Sequence, residues 1–287
     1  MSADAPAAAP PAPADGYGRR FLILWLVASV ILTPIVAIFL GPQIPPGNGS
    51  VQASGQVLDN TVLVSVMTPV LLFVLLFIGF ALTHFRAGEA RGDGPPDRGN
   101  SRIGIVWAIV TTVTVLSLAT FGSYELVQDG AGAGQGPSPA FLPAGSSSAM
   151  DVQVIGQQWE FTYRYPSYGG LETAQLVLPA DKLIRLHVTS LDVVHSFWAY
   201  QLGVKADANP GVDNVVYLQL KGPRTFNIRC AELCGLWHGY MYDTGRVVPQ
   251  AEFEKWIASQ KALAEPVSKY MPPYALTYLP EPTHRAG

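Results

Sequence analysis

The stretch Cys230-Ala-Glu-Leu-Cys234-Gly-Leu-Trp-His238-Gly-Tyr-Met241 concentrates potential metal ligands. Two thiols, an imidazole, a thioether and a carboxylate fall within twelve residues, directly after a segment of strand-like alternation. Sulfur ligands with imidazole select copper or zinc over magnesium or calcium. The thioether of Met241 favours copper, because zinc is satisfied by Cys, His and carboxylate. Cys234, His238 and Met241, with one upstream histidine, make the set of a blue-copper electron-transfer site. Cys230 is then an extra thiol. A loop that returns both sulfurs to one point can bridge two copper ions, each needing one terminal imidazole and one weak axial ligand. Met241 can serve one ion and the backbone carbonyl of Glu232 the other. A short loop cannot provide the second imidazole. His195, in Val193-Val-His-Ser-Phe197, follows a strand in an apolar context that excludes water, and is the candidate. Two plainer arrangements use the same residues. Cys230 and Cys234 can be an oxidised pair outside the cytoplasm, or can hold structural zinc with His195 and His238.

These ligands need a scaffold, and the composition says where it sits. Of 287 residues, 49% are hydrophobic and only 14% charged, against about 25% charged in a soluble domain. Net charge is −3, which leaves no basic footprint for nucleic acid. Apolar runs at 21–40, 61–82 and 103–121 carry no charge, and each is long enough for a hydrocarbon core of about 30 Å. Arg19 and Arg20 precede the first run, the 41–60 link has no Lys or Arg, and the next link holds Arg86, Arg91, Arg98 and Arg102. The positive-inside rule puts the N-terminus inside and everything after the third run outside. Basic residues before an apolar run also describe a signal sequence, so the first run is either a retained helix or a removed leader.

The expected organisation follows. Residues 1–18 are a disordered N-terminus, 19–41 a transmembrane helix or signal sequence, 61–85 and 102–124 transmembrane helices, and 128–148 a Gly/Pro/Ser/Ala linker. Residues 150–264 form an extracytoplasmic β domain with a C-terminal helix, and 265–287 an extended tail. The fold class is membrane-anchored all-β, with two or three N-terminal helices before a sandwich or barrel. Its strands are read from period-two alternation: Val152 and Val154; Trp159, Phe161, Tyr163 and Tyr165; Ile184, Leu186 and Val188; Val216, Leu218 and Leu220; Phe226, Ile228 and Cys230. Over 249–264, Phe253, Trp256 and Ile257 share one helical face. His187 alternates with Leu186 and Val188 and reads as a surface residue. His84 reads as interfacial, and His284 lies in the tail. Trp198, Trp237 and Tyr240 flank the ligands and read as packing that keeps them dry.

The series His195, then Cys230-x-Glu232-x-Cys234-x-x-x-His238-x-x-Met241, resembles the binuclear copper-A site of cytochrome c oxidase subunit II. The resemblance runs from about Thr61 onward. It takes in Gly156-Gln-Gln-Trp159, the Leu202–Gly211 loop and Phe253-Glu-Lys-Trp256. It implies a cupredoxin-like domain partnered by subunit I of a haem-copper oxidase, with other oxidase subunits and membrane lipid around it. It implies that Cys230 and Cys234 bridge two copper ions, that His195 and His238 are terminal ligands, that Met241 is axial and that Glu232 gives its carbonyl. The Glu232 carboxylate is given a second role at an interfacial magnesium. Trp159 matches the tryptophan that takes electrons from cytochrome c. A closed ligand set makes such a chain an electron relay in an oxidoreductase and translocase of the respiratory chain. It would pass electrons to subunit I, where oxygen is reduced to water. The implied location is a bacterial-type cell membrane, multi-pass, with the copper domain on the periplasmic or extracellular side.

The chain departs from the family pattern in places. Phe161 replaces a second tryptophan, and Arg164 has the wrong sign for docking a basic cytochrome. Residues 151–287 hold thirteen acidic and twelve basic side chains, too even a balance for long-range steering. The reading is an apolar dock or a membrane-tethered cytochrome c. Gly104 stands where the family places a glutamate ahead of Trp107, which bears on proton uptake and keeps open a copper-A subunit of a nitric oxide reductase. A copper storage or delivery protein is the reading from another class.

Overall fold

The computed structural model describes residues 15–84, 99–129, 134, 136–268 and 270. Its apolar runs fall on three helices: α1 (Asp15–Ile35), α2 (Val51–His84) and α3 (Ser101–Asp129). In lipid a helix satisfies its own backbone hydrogen bonds. These three are the helices long and apolar enough to cross a membrane among the described residues. Arg86, Arg91 and Arg98 of the basic link lie outside the described residues, as do residues 1–14 and His284.

The described residues divide into two compact units. The first comprises α1, most of α2 and the start of α3. Within it the Phe21 ring meets Phe73 and Phe80 edge-on, with centroids at 5.1 and 5.5 Å. Trp25 donates from Nε1 to the Pro69 carbonyl at 2.8 Å.

The second unit comprises residues 42–60, the rest of α3 and the β domain. Here α2 begins ten residues ahead of its apolar run. Ser50 Oγ caps the helix by accepting from Ala53 N–H at 2.9 Å, and donates to the Leu202 carbonyl at 2.6 Å. Gln56 Nε2 donates to the Gly203 carbonyl at 2.7 Å. Hydropathy marks only residue 61 onward. The polar turns before it are helical because a serine cap starts them and the β domain covers them.

The β domain is a sandwich, as the alternation predicts. One sheet holds β1 (Met150–Gln157), β2 (Glu160–Tyr165), β3 (Leu171–Thr173), β5 (Leu183–Ser190) and β8 (Asn214–Gln219), in the order β3-β2-β1-β5-β8. The other holds β4 (Val177–Pro179), β6 (His195–Ala199), β7 (Val204–Ala208), β9 (Arg224–Cys230) and β10 (Tyr242–Val248), in the order β4-β10-β9-β6-β7. β1–β5 and β4–β10 pair in parallel, and the other pairs are antiparallel. This two-sheet arrangement is the expected membrane-anchored, cupredoxin-like class. Val152, Tyr163, Leu186, Phe197, Leu218 and Phe226 fill the space between the sheets, each worth about 1.5–3 kcal/mol when fully buried. α4 (Gln250–Ser268) closes one end with Phe253 and Ile257 buried. It continues past Ala264 to include Pro266, into the stretch expected as tail.

Two local expectations change. Trp159 is not in a strand: Gln157 pairs with Glu160, so Gln158 and Trp159 form a two-residue turn between β1 and β2. His187 does point away from the core but is not a surface residue. Asp213, in the loop before β8, lies 2.8 Å from Nδ1, Asp151 of β1 lies 3.4 Å from Nε2, and the ring is only 12% exposed.

Candidate metal centre

Three strand ends and one turn converge on the ligands. β6 pairs with β9 through Phe197 and Cys230, which brings His195, at the start of β6, beside the end of β9. The loop after Cys230 leaves β9 and returns into β10. Its base is closed where Cys230 N–H donates to the Met241 carbonyl at 3.0 Å, and Ala231 N–H ties it to the Ser196 carbonyl at 2.9 Å. A short 3₁₀ turn, His238–Tyr240, aims His238 back at the sulfurs.

The resulting distances are short throughout. Cys230 Sγ and Cys234 Sγ are 3.8 Å apart, and both cysteines are free. His195 Nδ1 stands 3.9 Å from Cys230 Sγ, and His238 Nδ1 3.5 Å from Cys234 Sγ. Met241 Sδ lies 3.7 Å from Cys234 Sγ, and the Glu232 carbonyl 3.2 Å from Cys230 Sγ. All six donors picked from the sequence therefore meet. Donors bound 2.0–2.3 Å from a shared ion at near-tetrahedral angles stand roughly 3.3–3.8 Å apart, so the spacing fits ligation. The donor types fit copper, because two sulfurs, a thioether and imidazole are a soft set. His195, Cys234 and Met241 are buried and Cys230 is 9% exposed, while His238 is half-buried. Burial, and then the neighbouring Cys230 thiol, push the Cys234 thiol up to about 12. Two adjacent buried thiols resist losing both protons, and a bound cation would offset that resistance by taking the protons' place.

Around the donors lies a shell that the sequence did not advertise. Asp192 Oδ1 accepts from His195 Nε2 at 2.8 Å, leaving Nδ1 to face the sulfurs. Partial burial tends to raise the Asp192 pKa, but hydrogen bonds from His195, Gln158 N–H and Val193 N–H hold it below the ordinary carboxylate value. The Cys234 carbonyl accepts from Gln158 Nε2 at 2.8 Å and from Trp159 Nε1 at 3.2 Å. Two glycines give room. A Cβ at Gly156 would stand 3.0 Å from the His195 ring, and one at Gly235 2.9 Å from Gln158 Nε2. Gly235 also has φ +119°, where a side chain is strained. Phe161 packs edge-on against Phe197 at 5.6 Å and against the His195 ring at 6.3 Å.

The flanking aromatics do not all pack inward. Trp237 and Tyr240 contact each other at 5.5 Å but are 48% and 70% exposed, with Leu233 and Leu236 exposed beside them in sequence. They form an apolar rim rather than a cover. The Glu232 side chain is exposed, and Trp159 is half-buried against Gly235. Arg164 is paired with Glu172 at 3.2 Å, so its charge is partly neutralised.

Comparison with known proteins places these features in a family. The family profile described as cytochrome c oxidase subunit II, periplasmic domain, matches residues 171–244, a span that contains all six donors. A cytochrome c oxidase subunit 2 of Synechocystis sp. is 26% identical over 275 residues, covering 83% of this chain and 82% of that one. The corresponding subunit of Aedes aegypti is 27% identical over 227 residues, covering 70% and 89%. Among solved structures, the periplasmic domain of subunit II of the Bradyrhizobium japonicum cytochrome oxidase is 32% identical. It covers 40% of this chain and 94% of that one, with a TM-score of 0.39.

Proposed function

We propose that this chain, which belongs to the cytochrome c oxidase subunit II family, is the copper-A electron relay of its haem-copper oxidase complex. The observation that carries the proposal is the convergence of two thiols, two imidazoles, a thioether and a peptide carbonyl within 3.2–3.9 Å steps. A copper pair, when bound, supplies a one-electron store.

The residues divide the remaining work. Cys230, Cys234, His195, His238, Met241 and the Glu232 carbonyl would together hold the copper pair. Asp192 fixes the His195 ring, as a carboxylate beside a metal-bound histidine does. Phe161 and Phe197 exclude water from its flank. The six donors leave no position for a substrate, and catalytic metal sites need an open one. This chain therefore passes electrons on, and oxygen is reduced elsewhere in the complex. Trp159, half-buried and one hydrogen bond from the Cys234 carbonyl, is where electrons come in from cytochrome c. The exposed Glu232 carboxylate is available to magnesium at the face that meets subunit I.

The orientation has its own support. The 42–60 link packs on the β domain through Ser50, Gln56 and Gln52, so both lie on one side of the bilayer. The positive-inside rule makes that the outer side. A delivery protein is disfavoured by burial of four of the six donor residues, since metal hand-over needs access.

The test is metal analysis and copper EPR of the intact complex purified in mild detergent, with its terminal substrate measured. Two coppers assigned to this chain, a mixed-valence signal and oxygen consumption are expected. One copper with a blue-copper spectrum, zinc in its place, or a complex that consumes nitric oxide instead would overturn the proposal.

A further inference from the structure

We infer that Gln158 is a positioning residue for the metal-binding loop, and that one glutamine in the β1–β2 turn ties together the two halves of the ligand set. The inference rests on the copper-A reading. Its two links are on opposite sides of the residue. The side-chain amide donates to the Cys234 carbonyl at 2.8 Å. The backbone N–H donates to Asp192 Oδ2 at 2.7 Å, and the other oxygen of Asp192 meets His195 Nε2 at 2.8 Å. The β9–β10 loop and the start of β6 are thus joined through a third segment that holds no ligand itself.

The arrangement is specific in three ways. An exposed glutamine gives up side-chain freedom when it is fixed, so a surface glutamine held in place is unusual. The Cys234 carbonyl has both lone pairs engaged, the stronger bond coming from Gln158 and the longer, 3.2 Å, from Trp159. Gly235 leaves no space between this carbonyl and the glutamine, since an added Cβ would stand 2.9 Å from Nε2. With two donors on it, the Cys234–Gly235 peptide cannot turn, and the direction of the Cys234 thiol follows. Partners behind the ligands set affinity and electronic properties at metal sites. The two N–H donors at this carbonyl also place positive dipole ends on the backbone of Cys234, which would favour the reduced state.

The competing account makes Gln158 only part of the surface that an electron donor touches. Gln158→Met in the intact complex separates the two, with Gln157→Met as the neighbouring control, since Gln157 bonds Glu160 instead. Gln158→Glu keeps the length and the backbone N–H but loses the side-chain donor. Both Gln158 variants are expected to lose copper to a chelator roughly tenfold faster, to alter the copper EPR spectrum and to lower the reduction potential, with the KM for the donor unchanged. Wild-type copper retention, spectrum and potential in both variants overturn the inference, whether or not KM rises. A wild-type complex without copper overturns the copper-A reading and the inference with it, whereas a copper-loaded wild type with unperturbed variants overturns the inference alone.

Discussion

His187 should make the β domain lose stability as pH rises above neutrality. The ring sits between Asp213 at 2.8 Å and Asp151 at 3.4 Å, and Arg185 also binds Asp151, at 2.9 Å through Nη2. Tyr217 completes the set, beside Arg185. Burial works against the charged imidazole, but the hydrogen bonds it donates to Asp151 and then Asp213 outweigh it and raise the pKa from 6.5 to about 9. The folded state therefore holds the proton more tightly than the unfolded chain. The contribution is fully present below pH 6.5 and is lost as pH climbs through 9. At 1.36 kcal/mol per unit the difference is about 3 kcal/mol. Asp151, held at about 2 by the same contacts, is the other side of this interaction and adds nothing separate in that window. Denaturant unfolding of the full chain in detergent, followed by tryptophan fluorescence from pH 6 to about 10, reads it out. Wild type should weaken across the window, and His187→Gln should start lower and weaken much less between about pH 6 and 9. Parallel curves for the two proteins would refute the reasoning.

Other outcomes follow from the same structure. Gly235→Ala, which forces a side chain to φ +119° against Gln158 and Trp159, should cost about 1–2 kcal/mol and loosen copper, measured as metal per chain after dialysis. Trp159→Phe removes the indole donor to the Cys234 carbonyl; donor-driven turnover should fall while copper content stays at the wild-type value. Turnover should change less than about threefold between roughly 50 and 500 mM salt, because the domain's charges nearly balance; a steep fall in steady-state rate would contradict this. Intact mass of the mature chain should include α1, because Phe21 and Trp25 pack on α2; a chain starting near residue 45 would show instead that the run is removed.

What the sequence disclosed depended on how local each signal was. The convergence of the candidate donors was readable because five of them share twelve residues, and because His195 had a strand and an apolar context suited to the sixth place. The sandwich was readable because its inward residues alternate. The link between Gln158 and Asp192 was not readable. Gln158 lies in a stretch that carries the resemblance, but Asp192 is 34 residues away, and nothing joins the two until β1–β2 meets the β5–β6 loop. His187 misled for a related reason. Alternation gives the direction of a side chain but not what crosses above it, and here the loop before β8 brings Asp213. Arg164 counted as an exposed positive charge until the register placed Glu172 opposite it. Hydropathy located the apolar part of α2, yet it could not register the polar turns from Val51, which are helical through a cap and tertiary cover.

The placement of the donors also argues for a relay over a metal carrier. They come from three backbone segments, and each is fixed by pairing outside the metal centre. His195 begins a strand paired with β7 through Ala208, Cys230 ends a strand paired with β10, and Met241 directly precedes β10. Glu232, Cys234 and His238 stand in the loop proper. There Cys234 is held by two donors on its carbonyl, and His238 by the 3₁₀ turn whose N–H groups bond back to Gly235 and Trp237. A frame held this way keeps its shape when charge is added or removed, because moving a donor would break ladder bonds elsewhere. A carrier needs the opposite, donors on a loop free enough to release their ion one bond at a time. The apolar rim of Leu233, Leu236, Trp237 and Tyr240 fits the same conclusion. Exposed apolar patches beside such a site mark a protein contact, and a relay must be touched closely by its partners while its ligands stay where they are.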